Sequence, residues 1–248
     1  MTDLFSYNNS MPRVRPENRF EEVVHAAAEV FIQSLGYGRT QMEDIAKRAG
    51  VSKGTLYLYF ESKEALFDQA VRFADSEDAL PTPAELPVPT PSFGSTAEYV
   101  QHRLATNTEF LMIAEQLAAA PKADAQSEIE QIVRQLYRVL QKNRVALKLI
   151  DVCASDHPEL ASLWYSIGRG GVVSLLQPFI ERRIESSKFV SVPDTALAAR
   201  FILESCMMWG IHMHWDPHPE SINREHVEET LVHFIVRGLV PPDGLNCG

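Results

Sequence analysis

The sequence predicts an all-α fold in two parts, a small N-terminal module of short helices followed by a larger helical bundle. Three observations predict it. Apolar residues recur at helical spacing from residue 20 nearly to the end. No segment shows the apolar/polar alternation of a half-buried strand. One stretch, 79–94, interrupts the pattern with Pro81, Pro83, Pro87, Pro89 and Pro91. Proline lacks the amide N–H and fixes φ, so no helix continues there, and an extended linker is expected.

The elements follow in order. Residues 1–16 are polar with little periodicity and are expected to form a disordered tail. Phe20, Val23, Val24, Ala27, Ala28, Phe31 and Leu35 then share one helical face. Gly36 is expected to end that helix in the left-handed position. Thr40 with Glu43 reads as a capping box for a short helix carrying Ile45, Ala46 and Ala49. Gly50 stops it. Ser52 is the expected N-cap of the next helix, which buries Leu56 and Phe60. Ser62 caps a fourth, running to about residue 76.

Beyond the linker, five helices are expected. The first spans 96–119 and is capped by Thr96. The second spans 126–154, with Ile129, Ile132, Val133, Leu136, Val139 and Leu140 at helical spacing. The third begins near Pro158, and Gly168, Gly170, Gly171 and Pro178 predict that it is kinked or split. The fourth, 194–215, is apolar nearly all round, and the last spans 223–239. The domain boundaries are a tail at 1–16, an N-terminal module at 17–76, a linker at 77–94, a bundle at 95–240 and a C-terminal tail at 241–248.

Composition narrows the function. Of 248 residues, 45% are hydrophobic and 23% charged, enough to bury a core without disulfide or metal staples. The three cysteines, Cys153, Cys206 and Cys247, form no CxxC pair. No stretch approaches 18 apolar residues, the N-terminus has no signal-peptide pattern, and the cytoplasm is the expected compartment without membrane contact. Net charge is −10, but residues 39–63 carry Arg39, Lys47, Arg48, Lys53 and Lys63 against Glu43, Asp44 and Glu61. The basic potential is concentrated near one end, with Arg13, Arg15 and Arg19 just before it.

Two short helices joined by a tight glycine turn suggest a helix-turn-helix. The second must be narrow at its N-terminus to enter a major groove about 12 Å wide. Ser52-Lys53-Gly54-Thr55 offers two hydroxyls, one cation and a residue without Cβ. Tyr57 and Tyr59 cannot both be buried beside Leu56 and Phe60, so at least one should face a partner or solvent.

Residues 40–67, TQMEDIAKRAGVSKGTLYLYFESKEALF, resemble the DNA-binding domain of the tetracycline-repressor (TetR) family. Thr40, Ile45, Ala46, Ala49, Gly50, Val51, Ser52, Gly54, Leu56, Tyr57, Phe60, Lys63 and Leu66 carry the resemblance. AAAEVFIQSLGYGRT, 26–40, is similar to the end of that family's first helix. The resemblance covers about residues 17–75. It implies a homodimer that places residues 52–59 in the major groove of pseudo-palindromic operator DNA. It also implies repression relieved by a small hydrophobic effector in the C-terminal domain. A constitutive DNA-binding regulator, or an activator without a small-molecule ligand, is the alternative. The Pro-rich stretch departs from that family's compact connection.

On this resemblance the expected DNA-binding residues are Thr40, Ser52, Lys53, Gly54, Thr55, Tyr57, Tyr59 and Lys63. Lys53, Thr55 and Tyr57 are candidates for base edges or phosphate, and Tyr59 and Lys63 for phosphate alone. Thr40 is expected to cap the bracing helix and touch phosphate. Arg13 and Arg15 fit either a basic arm or a merely soluble tail.

Phe110, Met112, Trp164, Phe179, Met207 and Trp209 are candidates for an apolar effector pocket, against a plain core role. His212, His214 and His218 invite a metal, but on a helix His212 and His214 diverge by about 200°, and no metal site is expected. Cys153 and Cys206 read as buried small hydrophobes. No GxSxG, HExxH, P-loop or dinucleotide fingerprint occurs, so neither an enzyme nor a cofactor is expected.

Overall fold

The computed structural model describes residues 19–76, 80, 83–216 and 223–242. Arg13, Arg15, Pro81, His218 and Cys247 lie outside them. Helices are the only regular elements among the described residues, beside one isolated parallel bridge between Phe60 and Val88.

α1 (Arg19–Gln33) buries the expected face, including Phe20, Val23, Val24, Ala27 and Phe31. Its end differs from expectation. Leu35 itself takes the left-handed position at φ 56°, and Gly36 follows at φ 136°. Gly36 N–H donates to Phe31 O at 3.1 Å and Leu35 N–H to Ile32 O at 3.1 Å, closing a Schellman turn. Close approach explains the glycine, since a Cβ on Gly36 would lie 2.9 Å from Asp156 Oδ2.

α2 (Met42–Arg48) starts without the expected capping box. Its N-cap is Gln41, which makes no side-chain cap bond. The Thr40 hydroxyl donates to Gly36 O at 2.9 Å, and Glu43 pairs with Lys53. At the other end Gly50 takes φ 66° and Val51 N–H returns to Ala46 O at 2.9 Å, a second Schellman turn. α3 (Lys53–Tyr57) is capped by Ser52, and α4 (Lys63–Phe73) by Ser62. Phe20 stacks on Phe60 at 5.3 Å, and Phe31 meets Phe67 edge-on at 5.3 Å, so α1, the turn after α3 and α4 share one aromatic core.

The Pro-rich segment doubles back onto this module. Val88 N–H donates to Tyr59 O at 2.8 Å, and Glu61 N–H to Val88 O at 2.9 Å. Thr90 N–H donates to Glu61 Oε2 at 2.6 Å. The linker is thus a strap across the corner between α3 and α4.

Two expected long helices are each divided at an asparagine. Residues 96–119 form α5 (Ser95–Thr106) and α6 (Thr108–Ala118), because Asn107 leaves the helix and caps α6 through Phe110 N–H at 2.8 Å. Thr96 is not a cap; it lies inside α5 and its hydroxyl donates to Asp68 at 2.8 Å. Residues 126–154 form α7 (Ala125–Lys142) and α8 (Arg144–Cys153). The Asp75 carboxylate accepts the first α8 amides, Val145 N–H at 3.0 Å and Ala146 N–H at 2.7 Å.

α9 (Pro158–Ser162) runs into a π-helical turn, Leu163–Arg169, and then α10 (Gly170–Glu185). The glycine cluster produces this turn. A Cβ on Gly170 would lie 2.9 Å from Tyr165 O, and one on Gly168 would lie 3.2 Å from the Trp164 ring. α11 (Thr195–Gly210) stops five residues short of the expected end and gives way to a 3₁₀ turn, His212–Trp215. α12 (Val227–Leu239) closes the bundle. α7 is central, with Ile129, Ile132, Val133 and Leu136 buried. At one end the fully buried Arg183 bonds Glu128 at 2.7 and 3.1 Å beneath the Phe179 ring.

Candidate functional site

The outer surface of α3 carries the candidate reading residues. Ser52 Oγ accepts Thr55 N–H at 3.1 Å and lies 2.8 Å from Thr55 Oγ1, so the two hydroxyls form one polar edge. Lys53 and Gly54 are exposed beside it, and a Cβ on Gly54 would meet nothing closer than Ser52 Oγ at 3.8 Å. Tyr57 is 43% exposed and Leu58 55%. Ser52, Lys53, Gly54, Thr55 and Tyr57 are therefore brought together on one short, outward helix. Leu58 joins them without a sequence signal, since an exposed leucine cannot be told from a core one by spacing alone.

Three expected DNA contacts are placed elsewhere. Tyr59 is 3% exposed and packs in the module core, so it offers nothing to a phosphate. Thr40 is 1% exposed and its hydroxyl faces Gly36 O. Lys63 turns inward, donating to Tyr37 O at 2.9 Å and Thr40 O at 3.0 Å while sitting 4.0 Å above the Tyr37 ring. It fixes the loop that leads into α2.

Lys53 is held by Glu43 of α2, an exposed pair that keeps the carboxyl below and the ammonium above their ordinary values. Lys53 of α3 is thus tethered to α2. Arg39 and Lys47 are exposed on the same module, and Arg48 pairs with Glu29.

The second feature is a cavity of about 610 Å³ in the bundle. Phe110, Trp164 and Met207 line it, with Leu104, Leu136 and Leu203. The other three candidates are not on its wall. Met112 is 57% exposed, Trp209 is partly exposed at the end of α11, and Phe179 is buried against Arg183 and Phe189. Size and apolar character are alike in all six and do not tell which of them faces a void. The wall also includes Val71, Phe73 and Asp75 from α4 and its end, so one helix serves both the module and the cavity.

Outside the cavity, α11 and α12 expose large apolar side chains. Phe201 is 67% and Phe234 71% exposed, with Leu197 and Met208 nearby on α11. His212 Nδ1 lies 3.2 Å from Lys148 Nζ, and His214 Nδ1 lies 3.1 Å from Arg224. Both imidazoles therefore face cations, and burial together with these charges lowers their pKa values. Cys153 and Cys206 are free and buried, and burial pushes each thiol up to about 12. That is no setting for a reactive thiolate.

Comparison with known proteins fits this geometry. Residues 23–70 match the bacterial regulatory proteins of the tetR family. The fatty acid metabolism regulator protein of Bacillus subtilis is 44% identical over 54 residues, 22% of this chain and 26% of that protein. The HTH-type transcriptional regulator EthR of Mycobacterium tuberculosis is 37% identical over 99 residues, 36% of this chain and 45% of that protein. The matched region spans about a quarter to just under half of these relatives. The ketosteroid transcriptional regulator KstR2 of Mycobacterium tuberculosis shares the fold, with TM-score 0.56 and 16% identity over 92% of this chain and 98% of that one.

Proposed function

We propose that this chain, which belongs to the TetR family of helix-turn-helix transcriptional regulators, is a ligand-responsive repressor that binds a pseudo-palindromic operator as a homodimer. A small, largely apolar effector releases it. The observation that carries this reading is the shared helix. α4 packs the helix-turn-helix through Leu66 and Phe67 and lines the 610 Å³ cavity through Val71 and Phe73. A ligand that reshapes the cavity wall therefore acts on the element that orients α3. The size and apolar walls suit a small organic molecule.

Each subunit presents α3 to one major groove. Ser52, Lys53, Thr55 and Tyr57 are the residues assigned to bases and phosphate, with Gly54 allowing close approach. The exposed Phe201 and Phe234 surfaces of α11 and α12 supply the dimer contact, since faces this apolar suit burial against a second copy. Half-site spacing then follows from the two-fold axis.

The test is a fluorescence-anisotropy titration onto DNA flanking the chain's own gene, at two salt concentrations, beside a scrambled duplex. Tight, sequence-selective binding that weakens steeply with salt supports the repressor reading. Binding equal to the scrambled duplex there and across a genome-wide pull-down refutes it. Sedimentation of Phe201→Asp and Phe234→Asp checks the dimer. Both variants should sediment as monomers, and an unchanged dimer places the interface elsewhere.

A further inference from the structure

We propose that the cavity accepts an amphipathic anion, a long apolar body ending in a carboxylate or similar head, and that Arg169 receives the head. This rests on the reading of the cavity as the effector site. The charged residues on the wall are Arg72, Arg103, Arg169 and Asp75, three cations against one anion, in a chain whose net charge is −10. The single carboxylate is already engaged by the Val145 and Ala146 amides. Arg72 is engaged as well, its Nε on Asp68 at 2.7 Å.

Arg169 is different. Its Nη2 donates to Glu204 at 2.5 Å, but its Nε is buried with no acceptor. Glu204 is shared with Arg200 at 3.1 Å, so two guanidiniums divide one carboxylate and the group stays positive. A buried N–H without an acceptor is costly, and an anionic oxygen is the acceptor that also balances the charge. The wall around Arg169 is apolar, formed by Val172, Leu203 and Met207. The indole N–H of Trp164 is committed to Asp151 at 2.8 Å and does not compete for the head. A neutral ligand would leave the Arg169 Nε unmet. A cationic ligand would face like charge.

The experiment is calorimetric titration of the full chain with dodecanoate, dodecan-1-ol and dodecyltrimethylammonium, all below micelle-forming concentrations. Dodecanoate should bind about tenfold or more tightly than the alcohol, as expected for a charge-assisted bond in a cavity, and the cation should bind weakest. In Arg169→Met the preference for dodecanoate over dodecan-1-ol should fall to within about threefold. If that variant does not fold, Arg169→Gln carries the same test, because it keeps a donor for Glu204 but loses the positive charge. Equal binding of acid and alcohol, or tight binding of the cation, overturns the anion inference while leaving the cavity as an effector site. A preference that survives both substitutions overturns the assignment to Arg169. Binding of none of the three overturns the cavity reading itself.

Discussion

Asp156 accepts the backbone N–H of Gly38 at 2.8 Å, joining two loops 118 residues apart in the chain. The contact belongs to a larger junction. Asp156 ends the 3₁₀ turn Ala154–Asp156 between α8 and α9. The next residue, His157, stacks on Phe67 of α4 at 4.8 Å and meets Tyr37 edge-on at 4.7 Å. Lys63 then ties the Tyr37 and Thr40 carbonyls together just before α2. α8 lines the cavity through Leu147 and Ile150, and the π-helical turn that follows α9 lines it through Trp164 and Ile167. The corner is therefore a second physical link between the cavity and the helix-turn-helix, beside α4.

Asp156→Ala should loosen this link. Hydrogen bonds to charged groups contribute about 1.5–3 kcal/mol, part of which is lost here because the site is solvent-accessible. Native-state hydrogen exchange at the Gly38 amide should quicken about tenfold, which corresponds to about 1.4 kcal/mol. Unchanged protection at Gly38 would show that the carboxylate does not hold the loop.

The strap gives a separate prediction. Val88 is buried and its backbone bonds Tyr59 and Glu61 on both sides. Val88→Asp places a charge where no partner waits, and burying an unpaired carboxylate is strongly unfavourable. The strap should detach from the corner between α3 and α4. A fall of several degrees in thermal midpoint, with weaker DNA binding, is the expected result. Full DNA affinity alongside a lowered midpoint would mean that the strap supports the fold without holding the reading helix.

How much of this was legible in the sequence depends on the scale of the contact involved. Ser52, Gly50 and Ser62 act within four residues of themselves, and their cap and turn roles follow from local chemistry. Thr40 and Glu43 have the spacing of a capping box yet do other work. Their partners, Gly36 O and Lys53, are supplied by the packed module rather than by the helix itself. Lys63 follows the same pattern, because only the folded loop brings two carbonyls to its ammonium. The divisions at Asn107 and Asn143 were illegible because apolar spacing continues through them. The strap was illegible because its bonds are made by backbone groups across 27 or more residues, and proline content reports only that no helix forms. Exposed apolar residues such as Phe234 look like core until the other faces of the helix are filled.

The 3₁₀ turn after α11 predicts a pH effect. Burial, then the neighbouring Lys148, lowers the His212 pKa, with Asp151 and Glu204 acting in the opposite sense and Arg169 adding to the lowering. Burial with Arg144 and Arg224 lowers that of His214. A group whose folded pKa lies below its unfolded value of 6.5 takes up its proton more readily in the unfolded chain. Its contribution to stability is complete above pH 6.5 and is lost as pH falls through the lowered folded value. The thermal midpoint should therefore drop between pH 7.5 and about 5.5, and His212→Gln should flatten that part of the curve. A midpoint that is constant or rises on acidification over this range would contradict the assignment.

The last prediction concerns the tether between Lys53 and Glu43. Without DNA, Lys53 is paired with Glu43 of α2, and on the proposed function DNA must draw it away or share it. An exposed pair of this kind is weak, so phosphate competes with the carboxylate easily. Lys53→Ala should weaken operator binding and reduce the magnitude of the salt slope by about one, because one phosphate contact is removed. Glu43→Gln should act in the opposite direction. It frees the ammonium and removes a negative charge facing the DNA, so affinity should rise for operator and scrambled duplex alike. Selectivity between the two duplexes should then fall if Glu43 positions Lys53 for a base edge, and stay constant if Lys53 meets only phosphate. Anisotropy titrations of both variants on both duplexes separate these outcomes. Unchanged affinity in Lys53→Ala would remove the residue from the interface, whatever Glu43→Gln does.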